Sequence, residues 1–168
     1  NMFADGGYRT GMFGKWHLGD SYPFRPEDRG FQEVVRHGGG GVGNTPDYWG
    51  NDYFDDTYCA DGVWTQYPGY CTDVWFNLGL DFIRRHQDEP FFCYIATNAP
   101  HVPHIVDPKY TEPYLPPVSP NESRARYYGM LANIDENFGV LRDRLREWGL
   151  EDNTILVFMT DNRSEEHT

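Results

Sequence analysis

Apolar residues fall into a few runs separated by polar, glycine-rich stretches, and the spacing inside each run predicts its structure. Val74, Trp75, Leu78, Phe82 and Ile83 recur at intervals of three and four. Thr72 to His86 therefore reads as a helix with one buried face and Thr72 at its N-cap. Glu89-Pro90 ends it. Phe91 to Thr97 is short, continuous and apolar, the pattern of a strand covered on both faces. Met130, Leu131, Ile134, Phe138, Leu141 and Leu145 form the apolar stripe of one long helix, or two, within Glu122 to Trp148, with Gly149 as C-terminal stop. Thr154 to Thr160 repeats the buried-strand pattern. Tyr8 to Trp16 lies between glycine clusters and reads as a further short strand ending in a loop. Short strands separated by helices predict an α/β fold with a mostly parallel central sheet flanked by helices.

Two stretches resist this reading. Residues 99–120 are proline-rich and predict loop. Residues 20–71 carry Gly, Pro, Asp, Asn and Tyr throughout, with Gly38-Gly39-Gly40-Gly41 at the centre. That is too long for a structureless connector, so a functional loop, or one packed by its own aromatic side chains, is expected.

Charge narrows the partners. The 168 residues hold 26 Asp and Glu against 14 Lys and Arg, a net charge of −12. Such a chain is repelled on average by nucleic acid and anionic membranes, although a local cationic pocket remains compatible with it. Aromatic residues at 17% set it apart from disordered acidic chains. No apolar stretch approaches the roughly 20 residues of a membrane-spanning helix. Cys59 and Cys71 flank a Gly-, Pro- and Tyr-rich loop and could pair in an oxidising compartment, or stay free. Cys93 reads as a small buried hydrophobe. The chain starts at Asn1 without a signal peptide, and it is expected to be an internal fragment.

In an α/β sheet, ligands gather at the carboxyl ends of the strands. That rule selects Gly14-Lys15-Trp16-His17-Leu18-Gly19, then Thr97-Asn98-Ala99-Pro100-His101-Val102-Pro103-His104, then Thr160-Asp161-Asn162. Lys and imidazole groups converging there make a cationic pocket for an anion. The Asp161-Asn162 pair offers hard oxygen ligands of the kind Ca²⁺ or Mg²⁺ takes. An anion held by cations beside a divalent metal outlines sulfate or phosphate ester chemistry. His37, just before the glycine run, reads as structural or as a contact at the substrate rim, and His104 as a rim contact. Asp55 and Asp56 read as a solvated turn or a substrate-side feature.

The same residues resemble a known family. Gly7-Tyr8-Arg9-Thr10-Gly11-Met12-Phe13-Gly14-Lys15-Trp16-His17-Leu18-Gly19 is similar to the second signature of the type I, formylglycine-dependent sulfatases, which have an alkaline-phosphatase-like fold. The resemblance continues through Arg29-Gly30-Phe31, Pro46-Asp47-Tyr48-Trp49, Ala99-Pro100-His101-Val102-Pro103 and Thr160-Asp161-Asn162, in the family's order. It implies that Lys15 contacts a sulfate oxygen and that His17 hydrogen-bonds the hydrated formylglycine. It implies that His101 touches the sulfate and the leaving oxygen and can protonate the departing alkoxide. Asp161 and Asn162 would complete a Ca²⁺ shell, with Mg²⁺ as the alternative ion.

The family's Cys/Ser-x-Pro-x-Arg nucleophile motif and its Asp-Asp metal pair do not occur in this sequence, and both belong upstream in the family. The chain alone is accordingly expected to turn over no aryl sulfate above background in a chromogenic assay. The implied substrate is a sulfated small molecule or sulfated glycan. A formylglycine-generating or equivalent enzyme would mature the full-length protein, and the compartment would be secreted, periplasmic or lysosomal. The alternatives are a phosphonate or phosphodiester hydrolase of the same superfamily, or a non-enzymatic carbohydrate-binding module. Residues 1–162 are expected to form part of the catalytic domain. Arg163-Ser164-Glu165-Glu166-His167-Thr168 replaces the Gly the family places after Asn162, and matches one reading frame of a common sequencing adapter. It is expected to be non-native.

Overall fold

The computed structural model describes residues 2–115 and 121–160. Within them lie four α-helices: α1 (Met2–Asp5), α2 (Cys71–Arg85), α3 (Pro108–Thr111) and α4 (Glu122–Glu147). One sheet holds β1 (Arg9–Gly14), β2 (Glu33–Arg36), β3 (Thr57–Ala60), β4 (Val63–Gln66) and β5 (Phe91–Ala96), in the order β4-β3-β2-β1-β5. β2, β1 and β5 run parallel, and the β3–β4 hairpin extends them antiparallel.

Alternation along the strands decides which face each residue covers. On one face Phe13 of β1 meets Phe82 of α2, with ring centroids 5.7 Å apart, and the Cys93 thiol of β5 points at the Gly79 carbonyl of α2. On the other face Phe92 stacks on Phe3 of α1 at 4.1 Å, and Phe31 stacks over Phe92 and Tyr94. α2 is therefore the inner helix. It buries Val74, Trp75, Phe76, Phe82 and Ile83 against β1 and β5 while α4 covers its flank. Asp73 in the first turn of α2 ties the two helices together by accepting from Asn133 Nδ2 (2.8 Å) and Asn137 Nδ2 (2.7 Å) of α4.

α4 is one continuous helix whose first turn is capped by the Asn121 carboxamide, which accepts from the Ser123 and Arg124 N–H groups. Its end is a Schellman motif: Gly149 N–H donates to Arg146 O, Leu150 N–H to Leu145 O, and Gly149 takes the left-handed conformation (φ 70°). Replacing Gly149 by Ala is expected to lower stability by about 1 kcal/mol, read as a drop in the urea midpoint at unchanged slope.

Four expectations need correction. The stretch 20–71 is not one loop, since β2, β3 and β4 lie inside it. Each is only four residues long and is flanked by turn formers, too short for periodicity to register. Thr72 is not the N-cap of α2, which begins at Cys71 behind Tyr70; Thr72 is fully buried. Asp56 is no solvated turn. It is buried and accepts from Asp52 N–H, Tyr53 N–H and the Tyr58 hydroxyl, organising its own loop. Finally, Thr154 to Thr160 is not a buried strand. Its described residues pair with no strand, and Ile155, Val157, Phe158 and Met159 are exposed. An apolar run becomes an inner strand only with a neighbour to bond and two layers to cover it. Here its ring contact is Phe158 on Phe138 of α4, at 5.2 Å.

Candidate active site

Three loops leave the same edge of the sheet. The last register step of the parallel strands aligns Gly14 of β1 with Arg36 of β2 and Ala96 of β5. The next residues in each chain segment are Lys15, His37 and Thr97. Lys15 extends the ladder by donating its N–H to Ala96 O at 2.8 Å. The carboxyl edge thus carries Lys15-Trp16-His17 beside His37 and the Gly38–Gly41 run on one side, and beside Thr97 to His104 on the other.

Each loop is held from below. Trp16 donates its indole N–H to Phe24 O (2.8 Å) and packs edge-on against Phe31. This fixes Lys15 and His17 on either side of it. His17 itself lies in the left-handed region (φ 48°), which is uncommon for a non-glycine residue. Its ring rests against the backbone of Gly40: a Cβ there would overlap the imidazole at Nε2, Cε1 and Cδ2. Glycine at position 40 therefore permits the close approach.

Two carboxylates pin the glycine run in place. Asp20 Oδ1 accepts from Gly39 N–H (3.2 Å) and from Arg36 Nη1 (2.9 Å). Asp47 accepts from the N–H groups of Gly38 and Gly43, both at 2.8 Å, and from Asn51 Nδ2.

On the β5 side, Asn98 is buried and its Oδ1 accepts from Trp75 Nε1 at 3.1 Å, so the inner helix anchors the loop. Asn98 O in turn accepts the His101 N–H (3.0 Å). The His101 imidazole is exposed, with Nδ1 donating to Val102 O at 2.7 Å, which leaves Nε2 as its outward nitrogen. His104 is drawn instead to the start of α4, where its Nδ1 meets Ser123 Oγ at 2.9 Å.

His37, read from the sequence as structural or as a rim contact, lies inside the protein. It is completely buried, with its ring 6.4 Å from that of Trp75. The β2 strand that delivers it was hidden inside the glycine-rich stretch, and an apolar pair, Val34-Val35, was the only signal for it. Asp161 and Asn162 lie outside the described residues, as does the tail from Arg163 to Thr168. Among the described residues no group of three or more His, Cys, Asp or Glu side chains could hold a metal ion. Cys59, Cys71 and Cys93 are free thiols in the structure, and burial pushes the Cys71 thiol up to about 12.

The sulfatase family model matches residues 1–166. The chain belongs to the sulfatase family. The arylsulfatase of Klebsiella aerogenes is 26% identical over 95% of this chain and 46% of its own length. The ulvan-active sulfatase of Formosa agariphila is 30% identical over 96% of this chain and 34% of its own, and the human N-acetylgalactosamine-6-sulfatase is 28% identical over 96% and 31%. Among solved structures, Ps i-CgsB in complex with k-i-k-neocarrahexaose superposes with a TM-score of 0.75 at 27% identity, covering 87% of this chain and 35% of that one. This sulfatase chain therefore has the alkaline-phosphatase-like α/β fold, and it spans about a third to a half of the length of the curated relatives it matches. No helix among the described residues is long and apolar enough to cross a membrane.

Proposed function

We propose that this chain supplies one wall of the active site of an enzyme that hydrolyses a sulfate ester. The observation that supports it is the common sheet edge: in a sulfatase-family chain, Lys15 and His17 leave β1 where His101 leaves the adjoining β5. In this reading the Lys15 ammonium binds a sulfate oxygen and draws off charge as the S–O bond to the alcohol breaks. His17 hydrogen-bonds the nucleophile and fixes the direction of its attack. His101 contacts the sulfate and hands a proton from its outward nitrogen to the leaving oxygen. A formylglycine from elsewhere in the full-length protein, installed by a maturation enzyme, supplies the oxygen nucleophile. Asp161 and Asn162 are the proposed metal ligands, for Ca²⁺ or Mg²⁺, and the substrate class is a sulfated small molecule or glycan. The family resemblance supports a secreted, periplasmic or lysosomal setting.

A substrate panel tests the reading. The full-length protein, co-expressed with a formylglycine-generating enzyme, is assayed on an aryl sulfate, an aryl phosphodiester and an aryl phosphonate. Preferential release of sulfate supports it. Faster turnover of the phosphorus esters with no sulfate release would transfer the site to the phosphonate and phosphodiester hydrolases.

A further inference from the structure

His37 has a protonation pattern set by its surroundings. Its Nδ1 lies 2.9 Å from Gly38 O, and a carbonyl only accepts, so Nδ1 carries the proton. Burial holds the imidazole below its ordinary pKa, so the ring is neutral. Nε2 is then a lone-pair acceptor. It is fully buried and bonded to no group among the described residues. An acceptor left so costs roughly 1–3 kcal/mol, which a purely structural residue gives no reason to retain.

The fold indicates which donor this acceptor serves. Lys15 and His37 are each the first residue past the final register pair, Gly14↔Arg36, of adjacent parallel strands. Phe13 and Val35 are paired one step earlier, and both belong to the core beneath α2. Strand alternation returns His37 to the face of Val35, and Lys15 sits beside it at the strand end, just past Gly14, where the backbone (φ 117°) leaves the strand conformation. His37 lies beside Trp75 of α2, and the positive charge of Lys15 acts on its imidazole. The carbonyl that orients the ring belongs to Gly38, whose own N–H is held by Asp47, so the imidazole is locked from the side away from Nε2.

We infer that His37 is a positioning residue for Lys15: its Nε2, which makes no bond to Lys15 in this structure, accepts one hydrogen bond from the Lys15 ammonium once an oxyanion is bound, and so aims the remaining N–H groups at that oxyanion. The inference deepens the sulfate-ester reading and rests on it. A neutral acceptor suits this task better than a carboxylate, because it orients the ammonium without cancelling the charge the anion needs. The proton stays on Lys15 throughout, and His37 touches neither the reacting atoms nor the leaving group.

The test compares His37→Leu, His37→Gln and His37→Asn in the full-length, matured protein. Gln restores an acceptor near the Nε2 position, whereas Asn restores only the Nδ1 side. The readouts are KM and kcat for an aryl sulfate, the inhibition constant of inorganic sulfate, and Tm. His37→Leu is expected to raise KM and the sulfate inhibition constant about tenfold, with kcat within about twofold, since the lost contact serves ground and transition states alike. His37→Gln recovers most of that loss and His37→Asn does not. Tm of His37→Leu is expected to be no lower than wild type, because an unsatisfied acceptor has been removed.

Unchanged KM and inhibition constant in His37→Leu would overturn the inference, as would rescue by Asn equal to rescue by Gln. Should His37→Leu fail to fold, the Gln–Asn pair decides alone. Lys15→Ala run alongside separates the two layers. A large Lys15 effect with a silent His37 ends this inference only, whereas a silent Lys15 ends the sulfate-ester reading as well.

Discussion

Alanine in place of Lys15 is expected to lower kcat/KM for a sulfate ester by about 10²–10³ in the full-length protein, equivalent to about 3–4 kcal/mol of lost charge stabilisation. The size follows from placement. Lys15 continues the β1 ladder through its bond to Ala96 O, so its backbone is as fixed as the strand, and Trp16 is clamped on the next position. A cation on so rigid a base costs little reorganisation when charge gathers on the sulfate oxygens. Arginine is not a conservative replacement, because a planar fork needs different room from a compact ammonium. Steady-state kinetics on an aryl sulfate measure the loss, and a change below about threefold would remove Lys15 from the proposed mechanism.

The second large effect concerns His101 and depends on the substrate. Proton donation to the leaving oxygen is worth roughly 10²–10⁴ when that oxygen departs as a basic alkoxide, and far less when it departs as a stable phenolate. His101→Ala is therefore expected to cost kcat two or more powers of ten on a sugar or alkyl sulfate. On a nitrophenyl sulfate the loss stays within about tenfold. Equal losses on both would reassign His101 from proton donor to sulfate contact. The geometry is compatible with that proposed role: Nδ1 is engaged by Val102 O, and the loop is anchored through Asn98 to Trp75.

The parts of the fold legible in the sequence were those with long periods. α4 and α2 announced themselves through stripes several turns long, and β5 through an unbroken apolar run before a proline-rich loop. β2, β3 and β4 were not legible, since four residues among glycines and aspartates give no period to count. The run Thr154 to Thr160 misled because composition states only that a segment prefers burial. Whether a neighbouring strand is available is a property of the rest of the fold.

For the candidate site, the placement of Lys15, His17 and His101 at strand ends was readable because each follows a recognisable strand within a motif. The place of His37 was not, since it depends on β2 lying beside β1, and that adjacency is set by pairing across the intervening loop. The same limit applied to Asp20 and Asp47, ordinary loop acids until the glycine run folds onto their oxygens.

The left-handed backbone of His17 bears on protein engineering. A β-carbon at φ 48° is tolerated at a cost, and asparagine or glycine adopts that conformation more readily. Laboratory evolution scored on heat tolerance alone would therefore reward exchange of His17, and survivors of such a screen would be robust proteins without the proposed contact to the nucleophile. Any campaign to harden this protein has to hold that codon fixed, or score every clone on sulfate-ester turnover in the full-length protein as well as on survival.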